Sequence, residues 1–263
     1  MRGLVSLLIR LVFLAGLGLA AWFVVDMYAP SRHVPWKPVD LTQPPGLATP
    51  LQVQRLDVDP DACLTALRDA GVEAELAPEV VEGDYCQVRN AVVLRSGITP
   101  LSPSDLPMSC KLAAAYVMWD RQVLKPAAQE LMGSEVEGVV SYGSYSCRRI
   151  GGQETERPSE HATANAVDLG EFRFADGRRV TVKEHWTTGG AEAEFLRRLR
   201  LGGCEVFGTV IGPDYNAAHH DHLHMDMGHW DFCPEGPAPT AAEDPPAPAA
   251  EPAAASPAAG APV

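Results

Sequence analysis

Residues 166–184 read Ala166-Val167-Asp168-Leu169-Gly170-Glu171-Phe172-Arg173-Phe174-Ala175-Asp176-Gly177-Arg178-Arg179-Val180-Thr181-Val182-Lys183-Glu184. Two runs rich in Val, Phe and Thr, Ala166 to Phe174 and Arg179 to Glu184, flank Asp176-Gly177, a dipeptide that readily adopts the positive φ values of a tight hairpin turn. The stretch therefore predicts a pair of antiparallel strands. Upstream, Val136 to Tyr142 predicts another strand, leading into a loop from Gly143 to Ser159. Before it, Ser109 can cap a helix running from about Lys111, in which Leu112, Ala115, Tyr116, Trp119, Val123 and Leu124 share one apolar face, so Trp119 is assigned to the core. A short helix is expected over Ala62 to Ala70 and a strand over Tyr85 to Leu94. Downstream, a helix from Ala191 to Leu201 stops at Gly202-Gly203. A strand near Cys204 to Ile211, a turn at Gly212-Pro213-Asp214 and the stretch His219 to Met227 follow. This order predicts an α+β fold, a mainly antiparallel sheet with flanking helices.

The ends differ from the middle in composition. Of the 29 residues from Glu235 to Val263, 12 are Ala and 8 are Pro, without a base or an aromatic, so 235–263 is expected to form a disordered tail. Residues 1–28 hold apolar runs Gly3 to Ile9 and Leu11 to Val25, separated by Arg10. They suit a membrane-crossing helix with Arg2 and Arg10 at its cytoplasmic end and Trp22 and Tyr28 at the far interface. A signal peptide cleaved near Gly18-Leu19-Ala20 is the alternative, less favoured because Trp22, Phe23, Val24 and Val25 continue the apolar run. Residues 29–54 are proline-rich with little periodicity and read as a linker holding a domain at 55–234 off the membrane.

The net charge of -13 falls mostly within that domain. It disfavours nucleic acid as a partner, and no basic stripe with interleaved aromatics offsets it. Six cysteines, at 63, 86, 110, 147, 204 and 233, fit a disulfide-stapled domain in an oxidising compartment, and the absence of Cys-x-x-Cys argues against a thiolate metal or redox site. Proximity in sequence suggests Cys63 with Cys86, Cys110 with Cys147, and Cys204 with Cys233.

Five of the eight histidines lie between positions 219 and 229. From Asp221 onward polar and apolar residues alternate, so a strand here would turn His222, His224 and Asp226 to one face and Leu223, Met225 and Met227 to the core. An isolated His-x-His is ordinarily a solvated face. Here an independent set of donors lies upstream, in Ser159-Glu160-His161-Ala162-Thr163-Ala164-Asn165-Ala166-Val167-Asp168. Zinc accepts imidazole nitrogen and carboxylate oxygen, and catalytic zinc commonly keeps three protein ligands with one open position. His161, Asp168 and His224 supply such a set.

His-x6-Asp followed far downstream by His-x-His resembles the LAS metallopeptidases, a group that includes D-alanyl-D-alanine carboxypeptidases, murein endopeptidases and the Hedgehog signalling domain. More closely, the Ser159 to Asp168 motif, the Asp176-Gly177 turn, Cys204, Gly212-Pro213-Asp214-Tyr215-Asn216 and His219-x-x-His222-x-His224-x-Asp226 resemble the bacterial extensin-like C-terminal domain family, over about Asp61 to Cys233. The resemblance implies Zn2+ at His161, Asp168 and His224 in a LAS/Hedgehog-like zinc peptidase fold. Its implied activity is hydrolysis of amide bonds in peptidoglycan peptides, of DD-carboxypeptidase or endopeptidase type. Its implied partner is peptidoglycan or another cell-wall polymer outside the cytoplasm. The alternative is a zinc-containing wall-binding module without catalysis. Two positions depart from the peptidases, which usually carry Gly where Ala164 stands and often Glu where Asp221 stands.

The second departure leaves the base open. His222 ranks first, since a neutral imidazole near the metal can take a proton from water and later donate one. Asp221 would reach the metal only if the chain bends there, and His219 is the third candidate. A substrate carboxylate calls for a guanidinium. Arg148 is preferred over Arg149 because Cys147 precedes it. Ser159 either donates to substrate or holds the loop before His161. Asp226 is expected to orient a histidine, and Glu160 is read as a surface charge.

Overall fold

The computed structural model describes residues 2–151, 157–228 and 232–233. The expected tail and His229 lie outside the described residues. In chain order the helices are α1 (Arg2–Tyr28), α2 (Thr49–Arg55), α3 (Pro60–Asp69), α4 (Cys110–Trp119), α5 (Lys125–Ala127), α6 (Val182–His185) and α7 (Gly190–Gly203). The strands are β1 (Glu73–Leu76), β2 (Val80–Glu82), β3 (Cys86–Val88), β4 (Val92–Ser96), β5 (Leu101–Ser102), β6 (Val136–Gly143), β7 (Ala166–Phe174), β8 (Arg179–Thr181), β9 (Thr209–Ile211) and β10 (Leu223–Asp226). The fold is α+β.

The main sheet runs β5-β6-β7-β10-β9, with β8 also paired to β7. Only the β5–β6 pair is parallel; the other pairs are antiparallel. Two short ribbons, β1-β4 and β2-β3, lie apart from it. On one face of the sheet Val167, Leu169, Phe172, Leu223 and Met225 join α4 and α7 in the core. Phe172 and Phe174 set their rings against Phe195 of α7, at centroid distances of 5.4 and 5.3 Å. Trp119 is fully buried and donates its indole N–H to the Leu199 carbonyl at 3.0 Å, joining α4 to α7.

Ser109 caps α4, its hydroxyl accepting from Leu112 N at 3.2 Å. Nearly every residue of α4 is buried, as befits a helix enclosed on all sides. It continues through two π turns, Asp120–Leu124 and Ala128–Met132, on either side of α5. Pro126 lacks the N–H that a regular α-helical ladder needs there, so wider turns carry the chain on to the left-handed Gly133.

Several sequence expectations change in three dimensions. Tyr85 to Leu94 is broken at Asn90, whose φ is 53°, so β3 and β4 take different partners. The run Arg179 to Glu184 leaves the strand at Thr181, whose hydroxyl caps α6 by accepting from Glu184 N at 3.2 Å. Only Thr209–Ile211 of the stretch beginning at Cys204 is strand. Residues 29–54 are not a free linker. Val34, Leu41, Thr49, Gln52 and Val53 are buried, and the Gln52 amide donates to the carbonyls of Ser31, Val34 and Lys37 at 2.9–3.0 Å. Proline content there marks irregular backbone, which one buried amide ties together while Leu41 and Val53 join the core of the domain.

Disulfides join Cys63 to Cys110, Cys86 to Cys147, and Cys204 to Cys233, with Cα separations of 6.0, 5.4 and 5.8 Å. Two of the three pairs suggested by proximity are therefore wrong. Packing of α3 against α4 brings Cys63 to Cys110, and β3 lies beside the loop that carries Cys147, so sequence neighbours are not spatial neighbours.

Ser109 does more than cap. Its hydroxyl donates to Asn165 Oδ1 at 2.7 Å while its N–H donates to the Ala164 carbonyl at 2.7 Å, tying α4 to the turn before β7. Ser109→Ala should cost about 2 kcal/mol through the lost cap and the orphaned buried carbonyl. A lowered midpoint in urea unfolding, with the disulfides intact, is the expected result.

Candidate metal centre

The β7–β10 register sets His224 directly opposite Asp168, with Leu223 opposite Leu169 and Met225 opposite Val167. Since the apolar pairs enter the core, Asp168, His224 and Asp226 share the other face of the sheet. His161 arrives from a 3-10 turn, Glu160–Thr163, whose first residues are held by Ser159: its hydroxyl accepts from His161 N at 3.3 Å. The turn ends at Ala164, at φ 54°, a left-handed conformation that costs an L-residue ~1 kcal/mol and turns the chain into β7.

His161 Nε2 lies 3.2 Å from His224 Nδ1 and 3.2 Å from Asp168 Oδ2, and His224 Nδ1 lies 2.9 Å from Asp168 Oδ1. Donors ~2.0–2.1 Å from a tetrahedral ion stand about 3.3 Å from one another. These contacts use both oxygens of Asp168; with one donor atom taken from each residue, the three lie within 4.8 Å of one another and form a cluster of metal-ligand type. The far nitrogens are also held: His161 Nδ1 lies 3.2 Å from the Ser144 carbonyl and His224 Nε2 lies 3.0 Å from Asp226 Oδ2. Partners on the distal nitrogen are what fix the tautomer and orientation of a metal-binding imidazole. The second oxygen of Asp226 accepts from Gly228 N at 2.7 Å, so the carboxylate that steadies His224 is itself steadied.

Charges in the cluster shift one another's protonation. Burial disfavours a charged His224, but the carboxylates of Asp168 and Asp226 outweigh burial and raise its pKa to about 9. Burial likewise opposes ionisation of Asp168, and hydrogen bonds from His161 and His224 reverse this, leaving its pKa well below the usual carboxylate range.

Two further imidazoles border the triangle. His222 Nε2 lies 3.6 Å from Asp168 Oδ1, while Asp221 Oδ1 lies 2.9 Å from His222 Nδ1. Asp221 sits in the turn before β10, so it holds His222 and is not one of the clustered donors. His219 comes from the 3-10 turn Ala217–His219, with Nδ1 2.7 Å from Asn216 Oδ1 and its ring centroid 5.2 and 5.7 Å from those of His222 and His224. Burial, the neighbouring His224 and His222, and Arg148 lower its pKa to about 3, against the opposing pull of Asp168. Arg148 is thus exposed yet within electrostatic reach of the cluster, whereas Arg149 lies over the Tyr85 ring at 5.4 Å. Ser159 is buried and engaged with the His161 turn, so of its two expected roles the structure displays loop support.

Other participants had no role assigned from sequence. Asn165 accepts from Ser109 and donates to Glu160, whose side chain is therefore part of the support under His161 and not a free surface charge. Asn165 lies inside the Ser159 to Asp168 motif, so its position was flagged although its task was not. Tyr142 and Gly170 occupy the irregularities in the β6–β7 register, and a Cβ at Gly170 would collide with the Tyr142 phenol. That ring meets His222 edge-on at 5.8 Å, making one wall beside the cluster. The Ser144 carbonyl carries no sequence signal at all, because any residue would supply it.

Comparison with known proteins gives three findings. The chain is 30% identical over 120 residues to an orotate phosphoribosyltransferase of Nocardioides sp., an alignment covering 41% of this chain and 66% of that protein. The chain thus spans just under two thirds of that relative's length. No solved structure matches the chain. The family model described as extensin-like protein C-terminus matches residues 61–234, a span that contains the His161, Asp168 and His224 triangle and all three disulfides. The chain belongs to the extensin-like protein C-terminus family.

Proposed function

We propose that this protein is a membrane-tethered, zinc-dependent peptidase of LAS type that hydrolyses amide bonds in peptidoglycan peptides. The observation that carries the reading is the cluster of His161, Asp168 and His224, one donor atom from each within 4.8 Å of the others, bordered by imidazoles that are not part of it. Three disulfides already staple the domain, so a metal is not required for stability, and imidazoles beyond the ligand set suit proton transfer. The paired cysteines and the apolar helix Arg2–Tyr28 support an anchor in the cell membrane with the domain on its extracytoplasmic side.

Zinc bound by the three ligands would supply Lewis acidity and lower the pKa of its water to about 7. The Ser144 carbonyl and Asp226 hold His161 and His224 with their ligating nitrogens turned inward. Asp221 accepts the Nδ1–H of His222, which leaves the Nε2 lone pair on the side of Asp168. His222 then takes the proton of the attacking water at Nε2 and returns it to the leaving amine. His219 is neutral at physiological pH and supplies a polar wall. Arg148 receives the substrate carboxylate, its planar guanidinium matching the two oxygens.

Full-length protein incubated with purified crosslinked wall fragments should generate new peptide termini, detected by mass spectrometry. Chelator and His224→Ala should each abolish them. Retention of wall fragments without new termini under any metal would establish the wall-binding module in place of the hydrolase.

Asp221→Asn should lower the cleavage rate at least ~10-fold, because His222 loses the partner that selects its tautomer. Metal content, read by atomic emission, should be unchanged. Loss of metal in this variant would instead make Asp221 part of the ligand set.

Metal affinity should rise with pH. Below about 9 the metal-free site holds a proton on His224 that must leave on binding, so affinity is expected to climb about tenfold per pH unit from pH 7 to 9 and then flatten. Competition titrations against a chromophoric chelator measure this slope. A flat profile would remove His224 from the ligands.

A further inference from the structure

The chain between the apolar helix and the domain does not lead away from the bilayer. Trp36 folds back along α1: its indole N–H donates to Asp26 Oδ1 at 2.8 Å, and its ring lies 6.3 Å from that of Trp22. Lys37 Nζ donates to the Ala29 carbonyl at 3.0 Å. Trp22 is six residues before the helix end, about 9 Å along the axis. With α1 in a bilayer, Trp36 is therefore carried back to headgroup depth, where tryptophan is favoured.

The segment that brings Trp36 there also anchors α2. Gln52 binds the carbonyls of Ser31, Val34 and Lys37, Arg55 binds that of Pro35 at 2.6 Å, and Leu47 N donates to His33 Nδ1 at 3.3 Å. Leu47, in the turn before α2, and Leu51, within α2, leave 90% and 43% of their surface exposed, and Trp36 leaves 49%. Charge reinforces the pattern. Residues 29–55 hold Arg32, Lys37 and Arg55 against the single acid Asp40 in a chain of net charge -13. Asp40 is engaged by Thr42 and Gln43 of its own turn.

We infer that Trp36, Leu47 and Leu51, with Arg32, Lys37 and Arg55, form a surface that docks onto the anionic headgroup–acyl boundary of the same bilayer that α1 crosses. Apolar side chains enter the boundary, and the cations meet lipid phosphates. The domain then rests on the membrane in a fixed orientation. The inference depends on the anchor being retained, and it is independent of any peptidase activity.

The test places the full chain in lipid nanodiscs containing anionic phospholipid and a trace of lipid with a photoactivatable group in its upper acyl chain. Mass spectrometry then maps the adducts. Adducts are expected on the peptides holding Trp36, Leu47 and Leu51 as well as on residues 2–28. Leu47→Ser with Leu51→Ser should lower those on residues 47–51 several-fold while leaving the α1 adducts unchanged. Both side chains are exposed, and an unchanged near-UV circular dichroism spectrum shows that the fold is kept. Adducts confined to residues 2–28 of an intact chain overturn the docking surface. Equal labelling in wholly zwitterionic nanodiscs overturns its electrostatic part. Chain isolated from cells without residues 2–28 overturns the anchored reading and the docking with it, a result distinguishable by intact mass.

Discussion

The antiparallel pairing of β7 with β10 is the constraint on which the rest of the structure depends, because it sets Asp168 and His224 opposite each other across two hydrogen-bonded strands. A slip of β10 by one residue would turn His224 into the core and bring Leu223 or Met225 onto the open face, while Asp168 stayed on it. The register is secured from below. Val167, Leu169, Leu223 and Met225 are fully buried against α4 and α7, and each would lose that burial if the strands shifted. Hydrophobic packing on one face thereby positions polar donors on the other.

His161 reaches the same point by a different device. A helical or extended segment before β7 would carry its ring past Asp168, and the 3-10 turn ending in left-handed Ala164 reverses the chain within a few residues. The turn is buttressed by Ser159 within it, and by Asn165, Glu160 and Ser109 below it. Polar groups are costly to bury unless each has a partner, and here the partners are themselves partnered. The same logic governs the cluster itself. A proton on His224 offsets only one of the two carboxylates beside it, Asp168 and Asp226; a divalent cation would take that proton's place, which couples occupancy to pH.

At the opposite end of the chain, the segment between the apolar helix and the domain behaves as a clamp. One buried glutamine side chain, bonded to three carbonyls, replaces the ladder that irregular, proline-rich backbone cannot make. The consequence lies within the chain: Trp36 and Lys37 hold the segment beside the end of α1, so it is not a free spacer.

Much of this was legible before folding. The Asp-Gly hairpin turn, the Ser109 cap, the core role of Trp119 and the alternation through Leu223, His224, Met225 and Asp226 follow from local periodicity and turn chemistry, which operate over a few residues and leave their mark in the chain. The choice of His161, Asp168 and His224 as a potential ligand set was legible too, because histidines are scarce, eight in 263 residues, and five of them crowd into one short run. Other features were settled by contacts between distant segments: the Cys63–Cys110 and Cys86–Cys147 bridges, the break at Asn90, the clamp at Gln52, the Ser144 carbonyl behind His161 and the bond from Asp221 to His222. Such features depend on which elements the core brings side by side, or on backbone atoms that every residue possesses. For that reason the sequence by itself determined the residue types of the candidate centre, and only the tertiary structure decided their partners.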